Sequence, residues 1–269
     1  MELEGNVAII TGAGRGIGRA TAEKLAKQGV KVVISDLDEG HVEIVSAKIV
    51  ESGGEAIVFS GDVTENEFPS KIVAKTMNSF GRLDILVNNA GYTWDGLVHK
   101  MTDEQFRKIM EVHLVAPFRL IREAAPYMRN AAKKEMEQGI DHYRKIINVS
   151  SIAGLTGNVG QANYASAKAG LFGLTKSVAK EWGQFNINCN AIAFGVMDTR
   201  LTQSKEEGEF ISGIPLGIPK KVREQLTAII PQNRPGTIEE AADSIYYLAS
   251  PMSNYVNGAV LQINGGIYM

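Results

Sequence analysis

One strand–turn–helix passage near the amino end limits this chain more than any other feature. Val7-Ala8-Ile9-Ile10 is a short apolar run, and Thr11-Gly12-Ala13-Gly14-Arg15-Gly16-Ile17-Gly18 follows it at once. Residues 16–28 then carry helical periodicity. A strand that is apolar at every position is buried on both faces, which a parallel sheet covered by helices provides. The rhythm repeats down the chain. Runs at 31–35, 56–59, 83–88, 145–150, 187–193 and 259–263 read as strands. Helical patterns at 41–51, 66–80, 103–129, 162–182 and 237–249 separate or flank them. Such alternation predicts an α/β fold, a doubly wound parallel sheet of about seven strands with helices on both faces. No domain boundary or long repeat interrupts it, so residues 1–269 are expected to form one domain.

Two segments break the pattern. Residues 130–144 (NAAKKEMEQGIDHYR) form a polar insertion that reads as a solvated helix extension. Arg129, Lys133 and Lys134 could meet an acidic carrier or a phosphate there. Glu135 and Glu137 beside them favour a mixed-charge, solvated face. Residues 200–236 are long and irregular, with Pro215, Pro219, Pro231 and Pro235 among Phe210, Ile211, Ile214, Leu216 and Ile218. Apolar content with prolines favours an ordered flap over a substrate.

Bulk properties exclude several classes of function. The net charge of −2 gives no electrostatic case for nucleic acid or an anionic membrane. The single cysteine, Cys189, rules out an internal disulfide framework and a multi-cysteine metal site, and reads as a small buried residue. His41, His99, His113 and His142 are too scattered to suggest a metal cluster, so no metal is expected. No apolar run approaches the ~20 residues a bilayer span requires, and the first residues resemble neither a signal nor a transit peptide. A cytoplasmic protein is expected.

The passage from Thr11 to Gly18 suits a dinucleotide. Glycines let backbone approach a pyrophosphate closely, and the helix start supplies free N–H groups and a positive dipole end. The spacing here is Gly-x-x-x-Gly-x-Gly from Gly12, with Arg15, Gly16, Ile17 and Gly18 completing the loop. The loop's place between a strand and a helix makes the sheet Rossmann-like. The second strand ends at Asp36, where an acidic side chain would bind ribose hydroxyls and repel a 2′-phosphate. NAD(H) is therefore expected over NADP(H), although Arg15 in the loop opposes this in part.

Tyr164 and Lys168 are four residues apart at the start of a helix and so share a face. Bringing a tyrosine from its ordinary value to near 7 needs about 3 units, or roughly 4 kcal/mol of preferential phenolate stabilisation. An ammonium and the positive ring of an oxidised nicotinamide in one low-dielectric cleft can supply that. Ser151 stands just after the fifth strand, at the carboxyl edge where such sheets bind ligands, and would orient a substrate oxygen.

Taken together these residues resemble the short-chain dehydrogenases/reductases along nearly the whole chain. Thr11 to Gly18 matches that family's cofactor loop, and Asn88-Asn89-Ala90-Gly91 its fourth-strand motif. Ser151, Tyr164 and Lys168 match its catalytic set. The resemblance implies that Tyr164 is the general acid/base and that Lys168 also holds the nicotinamide ribose. It implies contacts to adenine from Asp62 and Val63. It further implies cofactor contacts from Asn89, Ala90, Gly91 and Val196, and contacts to the nicotinamide end from the segment Asp198-Thr199. Within the family the chain is most similar to 3-oxoacyl-(acyl-carrier-protein) reductases, through residues 157–164 and the terminal 260–269. That implies a 3-oxoacyl or 3-hydroxyacyl thioester of coenzyme A or acyl carrier protein as substrate, and a homotetramer.

Three departures from the family pattern stand out. His113 occupies the place of an asparagine that supports a water behind the lysine, and is either a member of that relay or a tolerated substitution. Phe194-Gly195 replaces Pro-Gly beside the nicotinamide, and the flap after Thr199 is long. Tyr92 and Trp94 line the substrate mouth or pack beneath the flap. Two rivals to a thioester enzyme follow. One is a dehydrogenase of a cyclic, polyol or steroid alcohol. The other is a non-catalytic or partner-dependent subunit of a hetero-oligomeric reductase.

Overall fold

The computed structural model describes residues 3–199, 202–204, 210–211, 214–215 and 217–269. Seven strands form one parallel sheet: β1 (Val7–Thr11), β2 (Lys31–Asp36), β3 (Ala56–Ser60), β4 (Ile85–Asn88), β5 (Arg144–Ser151), β6 (Ile187–Phe194) and, last in the chain, β9 (Val260–Ile263). Their order is β3-β2-β1-β4-β5-β6-β9, with every pairing parallel. The expected doubly wound sheet of about seven strands is the one observed.

Side chains alternate across the sheet with period two, as a pleated strand requires. Ala8 and Ile10, Val32 and Ile34, Ile85 and Val87, and Ile147 and Val149 face one core. That core is closed by α1 (Gly16–Ala26), α2 (Glu39–Glu51) and α9 (Ile238–Ala249). Ile9, Val33, Leu86, Ile146 and Cys189 face the other. That side is covered by α3 (Phe68–Phe80), α5 (Ala116–Glu137) and α7 (Ala162–Trp182). This two-sided burial is why the strands carry no polar face to read.

The long helix expected over 103–129 is not continuous. α4 (Asp103–Met110) starts at a capping box between Thr102 and Gln105. A π-helical turn, Glu111–Val115, then joins it to α5. α5 runs on to Glu137, so the first part of the polar insertion is indeed a helix extension. Residue 144 leaves the insertion, because Arg144 opens β5 and its side chain is buried. Its guanidinium makes hydrogen bonds of 2.7 and 2.8 Å to the Glu135 carboxylate, so part of the expected solvated face is a paired charge. The flap region holds more structure than expected. α8 (Lys220–Ile229) lies within it, after a two-residue hairpin of β7 (Phe210–Ile211) and β8 (Ile214–Pro215). Leu216 and the side chains of Phe210, Ile211 and Ile214 lie outside the described residues.

The amino-terminal edge of the sheet is locked by one carboxylate. Asp84, fully buried before β4, accepts the Val7 N–H at 2.9 Å, Arg82 at 2.7 and 2.8 Å and His142 at 2.8 Å. These hydrogen bonds outweigh the cost of burial and hold the carboxyl at about 2. Asp84→Ala leaves the Val7 N–H, the Arg82 guanidinium and the His142 ring unmatched, and is expected to lower unfolding free energy by about 3 kcal/mol in urea titrations. The folded carboxyl lies below its ordinary 3.8. Its stabilisation is therefore complete above about pH 4 and lost as pH falls towards 2, a limb that Asp84→Ala should remove.

Candidate active site

The sheet order reverses between β1 and β4, and the two chains leave their carboxyl ends in opposite directions, which opens a crevice there. Thr11 and Asn89 hold its two lips together. The Thr11 hydroxyl accepts the N–H groups of Asn89 and Ala90, both at 3.1 Å. The Asn89 amide donates to the carbonyls of Thr11 and Gly12, both at 3.0 Å. Asn89 and Ala90 thus serve first as a stitch between the loops after β1 and β4.

The glycines of the first loop have different tasks. A Cβ on Gly12 would meet the Ala90 backbone, and one on Gly18 would collide with the Gly12 carbonyl. Gly16 has φ +52° and open space above it. Gly12 and Gly18 are therefore needed for packing, and Gly16 for an open cradle. α1 begins at Arg15 without any side-chain cap, so the first N–H groups, at Gly16, Ile17 and Gly18, face that cradle. The residues fit the pyrophosphate of a dinucleotide. Asp36 ends β2 at the rim, where its carboxylate accepts Gly14 N–H at 3.0 Å and Leu37 N–H at 2.8 Å. Asp62 and Val63 follow β3, next to Asp36, where the Gly61 N–H donates to the Asp36 carbonyl at 3.0 Å. Asp62 accepts both the N–H and the hydroxyl of Thr64, and Val63 is buried.

On the other side of the crevice, β5 and α7 bring Ser151, Tyr164 and Lys168 together. Ser151 lies close enough to Tyr164 to favour its phenolate, and its side chain accepts Ala153 N–H at 3.1 Å, which opens the short helix α6 (Ala153–Thr156). Lys168 is nearly buried. Its ammonium donates to the Val149 carbonyl at 2.7 Å and lies 5.5 Å from the centre of the Tyr164 ring. Ser150 fixes the two elements to each other, its hydroxyl donating to the Lys168 carbonyl at 2.9 Å. Burial dominates both titrations. It raises Tyr164 to about 12, against the influence of Ser151, and lowers Lys168 to about 7. The expected lowering of the tyrosine is thus not present in the chain by itself.

His113 lies on the π-helical turn, edge-on to Tyr164 with ring centres 5.0 Å apart. Its Nε2 donates to the Tyr92 carbonyl at 2.7 Å, which leaves Nδ1 as an acceptor, buried and without a partner. Burial and the nearby Lys168 hold the ring well below the ordinary histidine value, so it is neutral. A Cβ on Gly91 would run into this ring, which explains the glycine. Val196 and Thr199 follow β6 in a segment tied to residue 236: Gly236 N–H donates to Val196 at 2.9 Å and Asp198 N–H to Gly236 at 2.7 Å. Phe194 is buried at the end of β6, in the core under α1, α2 and α9.

Asn163 is a residue that motif reading passed over. Fully buried, it accepts Tyr164 N–H at 2.7 Å and donates to the carbonyls of Trp94 and Gln105 at 3.0 and 3.2 Å. It therefore sets where the catalytic helix starts against the loop after β4. A polar residue in the first turn of a helix is the available signal, but its distant partners are not readable from the sequence.

These geometries separate the glycines experimentally. Gly18→Ala is expected to lower the melting temperature sharply and to abolish cofactor binding with it. Gly16→Ala should fold with a loss of about 1–2 kcal/mol from its left-handed backbone yet lose dinucleotide affinity in calorimetry.

A family model described as enoyl-(acyl carrier protein) reductase matches residues 12–268. The chain is 36% identical over 270 residues to the 3-oxoacyl-[acyl-carrier-protein] reductase of Thermotoga maritima, covering 99% of each. It is 38% identical over 270 residues to that of Vibrio cholerae and 36% over 269 to that of Escherichia coli, covering all of each chain. With the crevice, the glycine cradle and the Ser151, Tyr164 and Lys168 set, this similarity settles the family: the chain belongs to the short-chain dehydrogenases/reductases, oxidoreductases that act on CH–OH groups with a nicotinamide cofactor.

Proposed function

We propose that the protein interconverts a 3-hydroxyacyl and a 3-oxoacyl thioester, using NAD(H) in preference to NADP(H). The observation that carries the reaction is the Tyr164 hydroxyl beside Ser151, with the Lys168 ammonium behind the same ring. The substrate class rests on the relatives, which are named for 3-oxoacyl groups on acyl carrier protein. Coenzyme A or acyl carrier protein is then the carrier.

Gly12 to Gly18, Asn89 to Gly91, Lys168, Val196 and Thr199 would hold a nicotinamide dinucleotide, which when bound would supply hydride in reduction and accept it in oxidation. In reduction Ser151 donates a hydrogen bond to the ketone oxygen. Tyr164 gives its proton to that oxygen as the carbonyl π bond becomes a C–H and an O–H bond. The phenolate left behind and the Lys168 ammonium attract each other, so forming one favours the other. Oxidation runs the same proton back to Tyr164. His113 enters as a relay member through its vacant Nδ1, which can accept a hydrogen bond from a water, rather than through titration near neutrality. Asp36 supports the NAD(H) preference, since its fixed carboxylate would repel a 2′-phosphate. A cytoplasmic homotetramer belongs to the same reading. Exposed Phe118, Tyr127 and Met136 on α5 support the association, and among the described residues no helix is long and apolar enough to cross a membrane.

Tyr164→Phe should bind NADH normally in fluorescence titrations and lose about 10³-fold in turnover. Retained turnover sinks the mechanism. A panel of 3-oxoacyl thioesters should outperform cyclic, polyol and steroid alcohols in kcat/KM. The reverse preference overturns the substrate, and no turnover with retained NADH binding points to a partner-dependent subunit.

A further inference from the structure

The segment that follows β6 is anchored on one side through its backbone. Asp198 N–H donates to the Gly236 carbonyl at 2.7 Å, and Gly236 N–H to Val196 at 2.9 Å. A Cβ on Gly236 would strike the Met197 side chain, so the two strips lie in close contact. Thr199 N–H turns back to the Met197 carbonyl at 2.9 Å, and the Thr202 hydroxyl donates to the same carbonyl. None of these bonds uses the Asp198 side chain. Its carboxylate reaches to α8, where Arg223 Nη2 donates to Oδ1 at 2.9 Å. Among the described residues, Arg223 is the one partner of that carboxylate.

α8 is itself held at its far end. Ile230 is buried, a Cβ on Gly265 would touch it, and a Cβ on Gly266 would meet Pro231. The carboxyl-terminal segment therefore backs the end of the helix. Arg223 lies about two turns earlier, its carbonyl taken by the Thr227 hydroxyl at 2.9 Å. Its Nε is buried and has no partner among the described residues, so one arm of the guanidinium fork is engaged rather than two.

We propose that Arg223 is a positioning residue for the cofactor: from α8 it holds Asp198-Thr199 in the place that receives the nicotinamide end. The inference rests on the reading of Val196 and Thr199 as residues that hold the cofactor. A segment already ordered loses less conformational freedom when its ligand arrives, and the ligand binds more tightly for it. Gly236 fixes Asp198 from one side, and Arg223 fixes it from the other. The side chains of the pair are 31% and 53% exposed, which limits the gain to about fivefold in affinity. With one arm engaged, an ammonium at the same place does most of the same work.

Fluorescence titrations with NADH test this in the wild type, Arg223→Met, Arg223→Lys, Asp198→Ala and the Arg223→Met/Asp198→Ala double variant. Methionine keeps the stem of the side chain and removes its donors. Arg223→Met and Asp198→Ala should each bind NADH about three- to fivefold more weakly. Each should keep its melting temperature within about 3 °C of the wild type. The double variant should be no weaker than either single one, because both remove the same tie. Arg223→Lys should recover most of the affinity. Thioester KM at saturating NADH should not change, whereas a helix that merely covers the substrate would raise it. Unchanged NADH affinity in Arg223→Met overturns the proposal, and so does a double variant whose loss is the product of the two. Full affinity in the double variant also overturns it, since Arg223 would then only screen a carboxylate. A wild type that binds no dinucleotide overturns the cofactor reading and this proposal with it. A wild type that binds NADH yet reduces no 3-oxoacyl thioester overturns the substrate reading alone.

Discussion

The hydrogen bonds between the ends of β1 and β4 carry the architecture of the site. The strand order reverses at that pair, and the crevice opens there. The chain closes it from below with a threonine hydroxyl and an asparagine amide rather than with packed side chains. Both are short, and both take backbone groups as partners. The loops can therefore lie close enough for Gly12 to contact the Ala90 backbone. Displacing either lip would move the cradle for the pyrophosphate relative to the loop that reaches His113.

Burial does the electrostatic work on the far side. Tyr164 and Lys168 each pay for desolvation in the direction of neutrality, one upwards and one downwards. Alone, Tyr164 holds its proton firmly and Lys168 releases its own readily, and a charge bound nearby shifts both. A neutral, fixed histidine beside them adds no competing titration near physiological pH. The low dielectric that makes each charged form costly alone makes the phenolate–ammonium pair favourable together.

Much of this was legible in the chain. The strands announced themselves because apolar residues on both faces leave no other use for such runs. Asp36 was readable as the end of β2 and Tyr164 and Lys168 as one helix face. What escaped had non-local or compensated causes. The π-helical turn adds a residue without disturbing the apolar periodicity on either side, so 103–129 read as one helix. Asn163 owes its role to carbonyls of Trp94 and Gln105, roughly sixty residues earlier. α8 sits between Pro219 and Pro231, and the prolines masked a ten-residue helix. Arg144 was assigned to a polar stretch because its carboxylate partner, Glu135, is nine residues away across a turn.

The π-helical turn at Glu111–Val115 has an outcome for the outer surface as well as the inner one. Each residue of a helix advances the next by about 100°, so the turn sets the azimuth at which α5 leaves the site. Phe118 and Met136, which lie on the same side of α5, are exposed at the angle that this turn dictates. The His113 ring beside Tyr164 and these outer side chains are gears on a single shaft. A deletion that regularised the helix would swing both at once.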